Sequence, residues 1–419
     1  AASTRVTQSL TPVTPAQPIP AVTATASERW STHVPEFDRV LGGGLVPGAV
    51  VLVAGEPGIG KSTLLLDVAA QAAQGQGDRP VLYVSAEESA SQVRLRAERI
   101  GAMHENLHLA AEADLGTILG HVRDVDPRLL VVDSVQTVAD AGVEGMPGGT
   151  SQVRAVAAAL VSTAKSRGLP ILVVGHVTKD GSIAGPRVLE HLVDVVCQFE
   201  GDRHSRLRMV RAVKNRYGPT DEVGCFELVD AGIFGLADPS GIFLSDRQVS
   251  VPGTCATITL EGRRPLPVEV QSLVVGASGP PRRTTSNVDS SRIAMTVAVL
   301  QSRCGLALDR TDVFVSTVGG ARAMEPSADL AAALSLTSSY AGLPLAPGVA
   351  AMGEVTLTGE IRPVVGLDQR VKEAGRLGFT TVLVPERGEA PTAPRGIKVI
   401  RVGDVTTAIG AVLPKDVLG

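Results

Sequence analysis

Between residues 50 and 176 the chain alternates short, wholly apolar runs with longer amphipathic stretches. "AVVLVAG", "PVLYVS", "RLLVVDS" and "PILVVGH" have no polar alternation and read as strands buried on both faces. Between them, 61–74 predicts a helix that stops at "GQG", "SQVRLRAERI" a second, and "SQVRAVAAALVSTAKSR" a third with its charges to one side. Strand–helix alternation of this kind predicts a parallel sheet with right-handed crossovers. After residue 194 the pattern changes. "DVVCQFE", "RLRMVRAV" and "EVGCFELVD" are strand-like runs joined by turns, so antiparallel hairpins are expected to finish the sheet.

Two stretches lack such patterning. Residues 1–26 are Thr, Pro and Ala with hardly any charge and predict a flexible linker. Residues 276–290, "GASGPPRRTTSNVDS", look linker-like too. Beyond them "SRIAMTVAVLQSRCG", "DVFVSTV", "SADLAAALSLTSSYAG", "VAAMGEVTLTGEIRPV", "TVLVPE" and 368–377 predict a second α/β unit. The expected organisation is a linker at 1–26, a first α/β unit at 27–255 and a further α+β unit at 256–419. No repeat of 20–50 residues is present.

Composition narrows the function. Aromatic residues make up only 3% of the chain, which argues against a base-stacking platform. The formal net charge is −4, so any nucleic-acid contact must use a local basic patch. Cys197, Cys225, Cys255 and Cys304 form no C-x-x-C pair and read as small buried hydrophobes in a reducing cytoplasm. No apolar run reaches the ~18 residues of a membrane span, and the first residues lack a signal-peptide core.

The chemistry starts at "GEPGIGKST", Gly55-Glu56-Pro57-Gly58-Ile59-Gly60-Lys61-Ser62-Thr63. It matches G-x-x-x-x-G-K-[ST], follows a buried strand and opens a helix, the context this motif requires. The glycines let successive N–H groups turn inward on phosphate oxygens. Lys61 would neutralise the β and γ phosphates and Ser62 would place its hydroxyl on Mg²⁺. ATP and Mg²⁺ are therefore the expected ligands. Asp133, ending "RLLVVDS", supplies the acid that such sites set beside the metal. "YVSAEES" offers Glu87 and Glu88 to orient the attacking water. Glu87 is nearer the strand end, while Glu88 is expected in the first turn of the next helix.

This succession resembles the RecA-type ATPase core. With "STHVPEFDRVLGGGLVPGAVVLVAGEPGIGKSTLLL", the pentapeptide "KNRYG" at 214–218 and the following unit, the chain from Trp30 onward resembles the bacterial RadA (Sms) recombination-protein family, whose C-terminal domain is Lon-protease-like. The resemblance implies a homo-hexameric DNA-dependent ATPase. It would be a helicase that promotes branch migration on single-stranded and branched DNA during recombinational repair, with the RecA recombinase as a partner. It also implies that Lys214 and Arg216 act on the neighbouring subunit's ATP, or else line the ring channel and hold DNA. Period-two alternation puts both on one side, and Gly218 permits the turn that projects them. Loops 142–154 and 178–187 would contact DNA through Arg154, Lys179 and Arg187. His176 would sense the γ-phosphate. The four-cysteine zinc module with which family members usually begin has no counterpart here, so zinc is not expected in these residues.

"EPSADLAAALS" resembles the Lon segment that carries the serine nucleophile, which puts Ser327 at that position. Lon's lysine falls on Asp368, and Lys372 lies one helical turn on. A serine without a base is a weak nucleophile. The unit is therefore expected to be a scaffold inactive as a peptidase, with Ser327 capping the following helix. It could guide duplex DNA with Arg282, Arg283, Arg310 or Arg322. A regulator of the KaiC kind acting on protein, and an ATP-dependent peptidase, are the alternative readings.

Overall fold

The computed structural model describes residues 18, 29–75, 79–176, 189–201, 205–244, 251–414 and 417. Apart from Pro18, the 1–26 stretch lies outside them. The first unit opens with α1 (Pro35–Leu41) and β1 (Val50–Gly55). There follow α2 (Lys61–Gln74), β2 (Val81–Ser85), α3 (Ala90–Ile100), β3 (Leu107–Ala111), α4 (Leu115–Val125), β4 (Leu129–Asp133), α5 (Thr150–Arg167) and β5 (Ile171–His176). Strands β6 (Val195–Glu200), β7 (Leu207–Asn215), β8 (Val223–Val229) and β9 (Gly232–Gly235) complete its sheet.

The strand order is β3-β2-β4-β5-β1-β6-β7-β8-β9. β1 through β6 pair in parallel, and β7, β8 and β9 are antiparallel, as the change of pattern after residue 194 predicts. The apolar runs are buried on both faces. Val51 and Val53 of β1 pack in one core with α2, while Val50, Leu52 and Ala54 pack in another with α4 and α5. That double burial explains why these strands show no polar alternation.

The second unit begins, after the short helix α6 (Ser240–Phe243), with the hairpin β10 (Thr254–Glu261) and β11 (Arg264–Gly276). It continues through β12 (Arg283–Ser286), α7 (Ser290–Cys304), β13 (Thr311–Thr317), α8 (Asp329–Ala341) and β14 (Val349–Ala351). The small ribbon β15 (Glu354–Val355) and β16 (Ile361–Arg362), then α9 (Leu367–Arg376), β17 (Thr381–Pro385), β18 (Lys398–Val402) and α10 (Val405–Val412) complete it. Its sheet runs β12-β13-β11-β10-β14-β17-β18. The linker-like stretch at 276–290 is therefore not a linker throughout. β12 lies within it, paired in parallel with β13, and Arg283 secures it by donating to Leu308 O at 2.7 Å.

The turn of the β10–β11 hairpin is driven into the first unit. Buried Arg264 pairs with buried Glu36 of α1 and donates to the carbonyls of Val223 (3.1 Å), Leu236 (2.8 Å) and Ala237 (3.0 Å). Arg263 pairs with Asp221. Gly262 sits at φ 63° so close to Asp221 O that a Cβ would overlap it, which explains glycine at this turn.

Candidate nucleotide site

β1 delivers the Gly55–Thr63 loop to the C-terminal edge of the sheet. Gly60 is the residue before α2, at φ 115°, a conformation that L side chains rarely adopt. No side chain caps α2 and its first turn holds no carboxylate. Its leading N–H groups are left for an anion. Lys61 is buried, and its ammonium donates to Gly55 O and Glu56 O at 2.8 Å each. Burial pushes its pKa down to about 8, against the opposing pull of Asp133 and Glu87. A cavity of about 430 Å³ is lined by Glu56, Pro57, Gly58, Ile59, Gly201 and Arg208. Arg208 of β7 was not singled out by the sequence. It is buried and holds the loop by donating to Ile59 O at 3.0 Å. An arginine inside a strand-like run carries no local sign of such a contact.

The acidic side comes from neighbouring strands. Register pairs Ser85 with Asp133 across β2 and β4, and Gly55 with His176 across β1 and β5. The loop, Glu87, Asp133 and His176 therefore gather at one edge of the sheet, where α/β folds bind ligands. Asp133 is buried. Tyr83 Oη donates to its Oδ2 at 2.7 Å, and Oδ1 has no partner. Glu87 is half exposed, with Oε2 3.4 Å from His176 Nε2. Glu88 is not in the first turn of the following helix. Ser89 forms a capping box with Gln92 and starts α3 at Ala90, so Glu88 precedes the cap, where it pairs with Arg96. A buried carboxylate oxygen without a donor, a hydroxyl-bearing Ser62 on the uncapped helix and a buried lysine fit a magnesium-bound triphosphate, with Ser62 and Asp133 as the residues that would hold the metal.

The KNRYG segment lies at the opposite end of β1. Asp194 Oδ2 accepts from Val50 N, the first residue of that strand, at 3.0 Å. Asp194 in turn accepts from Arg216 N at 3.1 Å and lies 3.3 Å from the Arg216 guanidinium. Five residue steps along β1 take Val50 to Gly55, the start of the phosphate loop, roughly 17 Å at 3.3–3.4 Å per residue. The two cations differ in setting. Lys214 is folded onto its own chain, donating to Glu190 O at 2.6 Å and Val193 O at 2.8 Å, while Arg216 is exposed. Burial, then the nearby Arg216, lowers the Lys214 pKa. Gly218 does not take a positive φ. A Cβ there would lie 3.2 Å from Asn215 Nδ2, and Arg29 donates to the neighbouring Tyr217 O.

Profiles of two families match the chain: the AAA domain over residues 16–182, and the Lon protease (S16) C-terminal proteolytic domain over residues 288–399. Among curated proteins, the DNA repair protein RadA of Mycolicibacterium smegmatis is 52% identical over 406 residues, covering 96% of this chain and 86% of that protein. RadA of Mycobacterium tuberculosis is 51% identical over 405 residues (96% and 84%), and that of Bacillus subtilis 45% over 394 (94% and 86%). The chain belongs to the RadA family. It has that family's pairing of a RecA-type P-loop ATPase core with a Lon-like domain.

In this RadA-family chain the stretch 142–154 divides. Residues 142–149 form a loop, while Arg154 is on the exposed side of α5. The loop is not loose. Buried Gln152 donates to Val143 O at 2.6 Å and Asp140 O at 3.1 Å, and accepts from Asp140 N at 2.8 Å. Sequence reading missed Gln152, which looks like one more helical residue. Lys179 and Arg187 lie outside the described residues. No helix among those described is long and apolar enough to cross a membrane.

The Lon-like domain corrects the expectation for Ser327. It caps no helix: it lies in a 3-10 turn (Pro326–Ala328), and Ala328 precedes α8. Ser327 Oγ donates to Glu325 Oε1 at 2.6 Å and accepts from Arg370 Nη1 at 2.9 Å. Lys372 is exposed and paired with Asp368 at 2.6 Å. The four cysteines are free and buried, as small hydrophobes would be.

Proposed function

We propose that this chain is a DNA-dependent ATPase and helicase of the RadA type. It drives branch migration of recombination intermediates in cytoplasmic DNA repair, working as a homo-hexameric ring on single-stranded and branched DNA beside the RecA recombinase. Membership of a family whose relatives are named DNA repair proteins supports the repair setting. One observation carries the motor reading: Arg216 and the phosphate loop lie at opposite ends of β1. A cation there is far from its own subunit's nucleotide, but in a head-to-tail ring it meets the next subunit's.

The division of labour follows. The α2 N-terminus and Lys61 hold the β and γ phosphates. Ser62 and Asp133 would hold Mg²⁺, which would offset the charge of the phosphate oxygens. Glu87 orients the attacking water and accepts its proton, and His176 fixes the Glu87 carboxylate. Arg216 of the adjoining subunit meets charge that grows on the transferring phosphoryl group, an effect worth about 10³-fold or more. Lys214 has to leave its two carbonyls to join it. Loop 142–149, Arg154, Lys179 and Arg187 track the DNA backbone without reading sequence.

ATP turnover measured with and without single-stranded DNA, at two salt concentrations, tests the reading. Stimulation by DNA that weakens at higher salt is expected. Turnover indifferent to DNA at both would overturn it.

A further inference from the structure

Seven buried side-chain atoms among the described residues have no hydrogen-bond partner, and three belong to one edge of the ATPase sheet: Asp133 Oδ1, His176 Nδ1 and Gln136 Oε1. Unpaired polar atoms of this kind are rare because each forfeits its solvation. Asp133 and His176 already have roles in the nucleotide site. Gln136 has none. It lies three residues beyond Asp133, and its Nε2 points to His176 O at 3.4 Å. That contact fixes which end of the amide is which, since only the NH₂ can face a carbonyl. The amide oxygen is then left as a buried acceptor.

An acceptor needs a donor. An occupied site supplies donors as water, both the water around a hydrated cation and the attacking molecule. Asp133 Oδ1 asks for the same kind of partner, as does His176 Nδ1 when Nε2–H faces Glu87. The main chain of Gln136 has a second neighbour. Gly148, at φ 81°, sits so close that a Cβ there would lie 3.3 Å from Gln136 O. Gly148 belongs to the loop that Gln152 holds in shape. Gln136 therefore has its amide beside His176, on the sheet edge that carries the nucleotide site, and its backbone against Gly148 of loop 142–149.

We infer that Gln136 is a positioning residue. Its amide oxygen holds a water of the magnesium–nucleotide site, and its backbone makes that water sensitive to the position of loop 142–149. The inference rests on the DNA-dependent ATPase reading above. It assigns the loop a part in setting turnover, beyond any part in holding DNA.

The test uses Gln136→Leu and Gln136→Glu in the full chain. Affinity for a fluorescent ATP analogue is read in EDTA and in Mg²⁺, and turnover with and without single-stranded DNA. For Gln136→Leu, affinity in EDTA stays within about twofold of wild type, while the gain on adding Mg²⁺ shrinks about fivefold, the size of one lost hydrogen bond. The ratio of DNA-stimulated to basal turnover falls towards one. Gln136→Glu keeps an acceptor and so retains the Mg²⁺ gain, but its carboxylate repels His176 O and the DNA ratio falls. A Leu variant with the wild-type Mg²⁺ gain and DNA ratio overturns the inference. So does equal loss of affinity in EDTA and Mg²⁺ with a lowered melting temperature, which is a plain packing role. Wild-type protein that hydrolyses ATP without DNA stimulation overturns the DNA-dependent reading instead.

Discussion

Arg370 Nη1 lies 2.9 Å from Ser327 Oγ, where a Lon-type peptidase would need a base. A guanidinium stays protonated at any working pH and cannot take the serine proton. It is also fully engaged, donating to Ile258 O at 2.5 Å and to both Glu325 oxygens at 2.5 and 3.0 Å. The Ser327 hydroxyl is spent on Glu325. The cluster has the form of a buried structural network in which each member satisfies another.

Ser327→Ala is accordingly expected to leave ATP turnover and DNA binding at wild-type values and to cost about 1 kcal/mol of stability. Arg370→Ala strands Glu325 and is expected to cost about 3–5 kcal/mol. Denaturant titration separates the two. Casein cleavage by the wild type that disappears in Ser327→Ala would show that the domain is a working peptidase.

Lys61 gives a pH prediction. Its pKa of about 8 in the free chain reflects burial, and phosphate binding needs the protonated form. ATP affinity should be level below pH 8 and weaken up to about tenfold per unit above it. For stability the sign is opposite. Between about 8 and 10.5 the unfolded chain holds more protons on this group, so its contribution to stability rises with pH. Fluorescent-nucleotide titrations from pH 7 to 9.5 check the first statement. Affinity that does not change across pH 8 would place the Lys61 titration elsewhere. Lys61→Ala is expected to lose nucleotide binding or hydrolysis outright.

The two carboxylates after β2 are now distinguishable. Glu87 faces His176, while Glu88 is held by Arg96 ahead of α3. Glu87→Gln should bind ATP with Mg²⁺ about as well as wild type and turn over about 10²-fold or more slowly. Glu88→Gln should retain turnover and lose only what its partly buried ion pair with Arg96 contributes, about 1 kcal/mol. Single-turnover measurements on both variants decide it, and the reverse pattern would reassign the water-orienting role to Glu88.

Much of this was legible in the chain because apolar period and local motif are local properties. Strands buried on both faces have an unbroken apolar signature, so β1, β2, β4 and β5 could be read directly. The phosphate loop needs its residues at fixed spacing, which makes it visible too. Other features were hidden because they depend on partners distant in sequence. Arg208 meets Ile59 across 149 positions, and Arg264 meets Glu36 across 228. Ser327 suggested a helix cap because "SADLAAALS" reads as one, yet Arg370, 43 positions away, takes its oxygen. Lys214 and Arg216 looked equivalent by alternation. β7 ends at Asn215, so Arg216 lies beyond the strand, while two backbone carbonyls claim Lys214.

That asymmetry shapes the test of the KNRYG segment. Arg216→Ala should bind nucleotide normally, since the phosphate loop is about a strand length away in its own subunit. It should lose about 10³-fold in turnover if the guanidinium acts on the next subunit's phosphoryl group. Lys214→Ala is expected to be the milder variant, because Lys214 is already bound to Glu190 O and Val193 O. Mixing Arg216→Ala with Lys61→Ala protein should restore part of the activity, because some interfaces then pair an intact phosphate loop with an intact Arg216. A channel role gives a different result: basal turnover persists, and the salt dependence of DNA affinity flattens by about one unit per lost phosphate contact. Normal basal turnover in Arg216→Ala, with no gain on mixing, would place this residue on DNA and not on ATP.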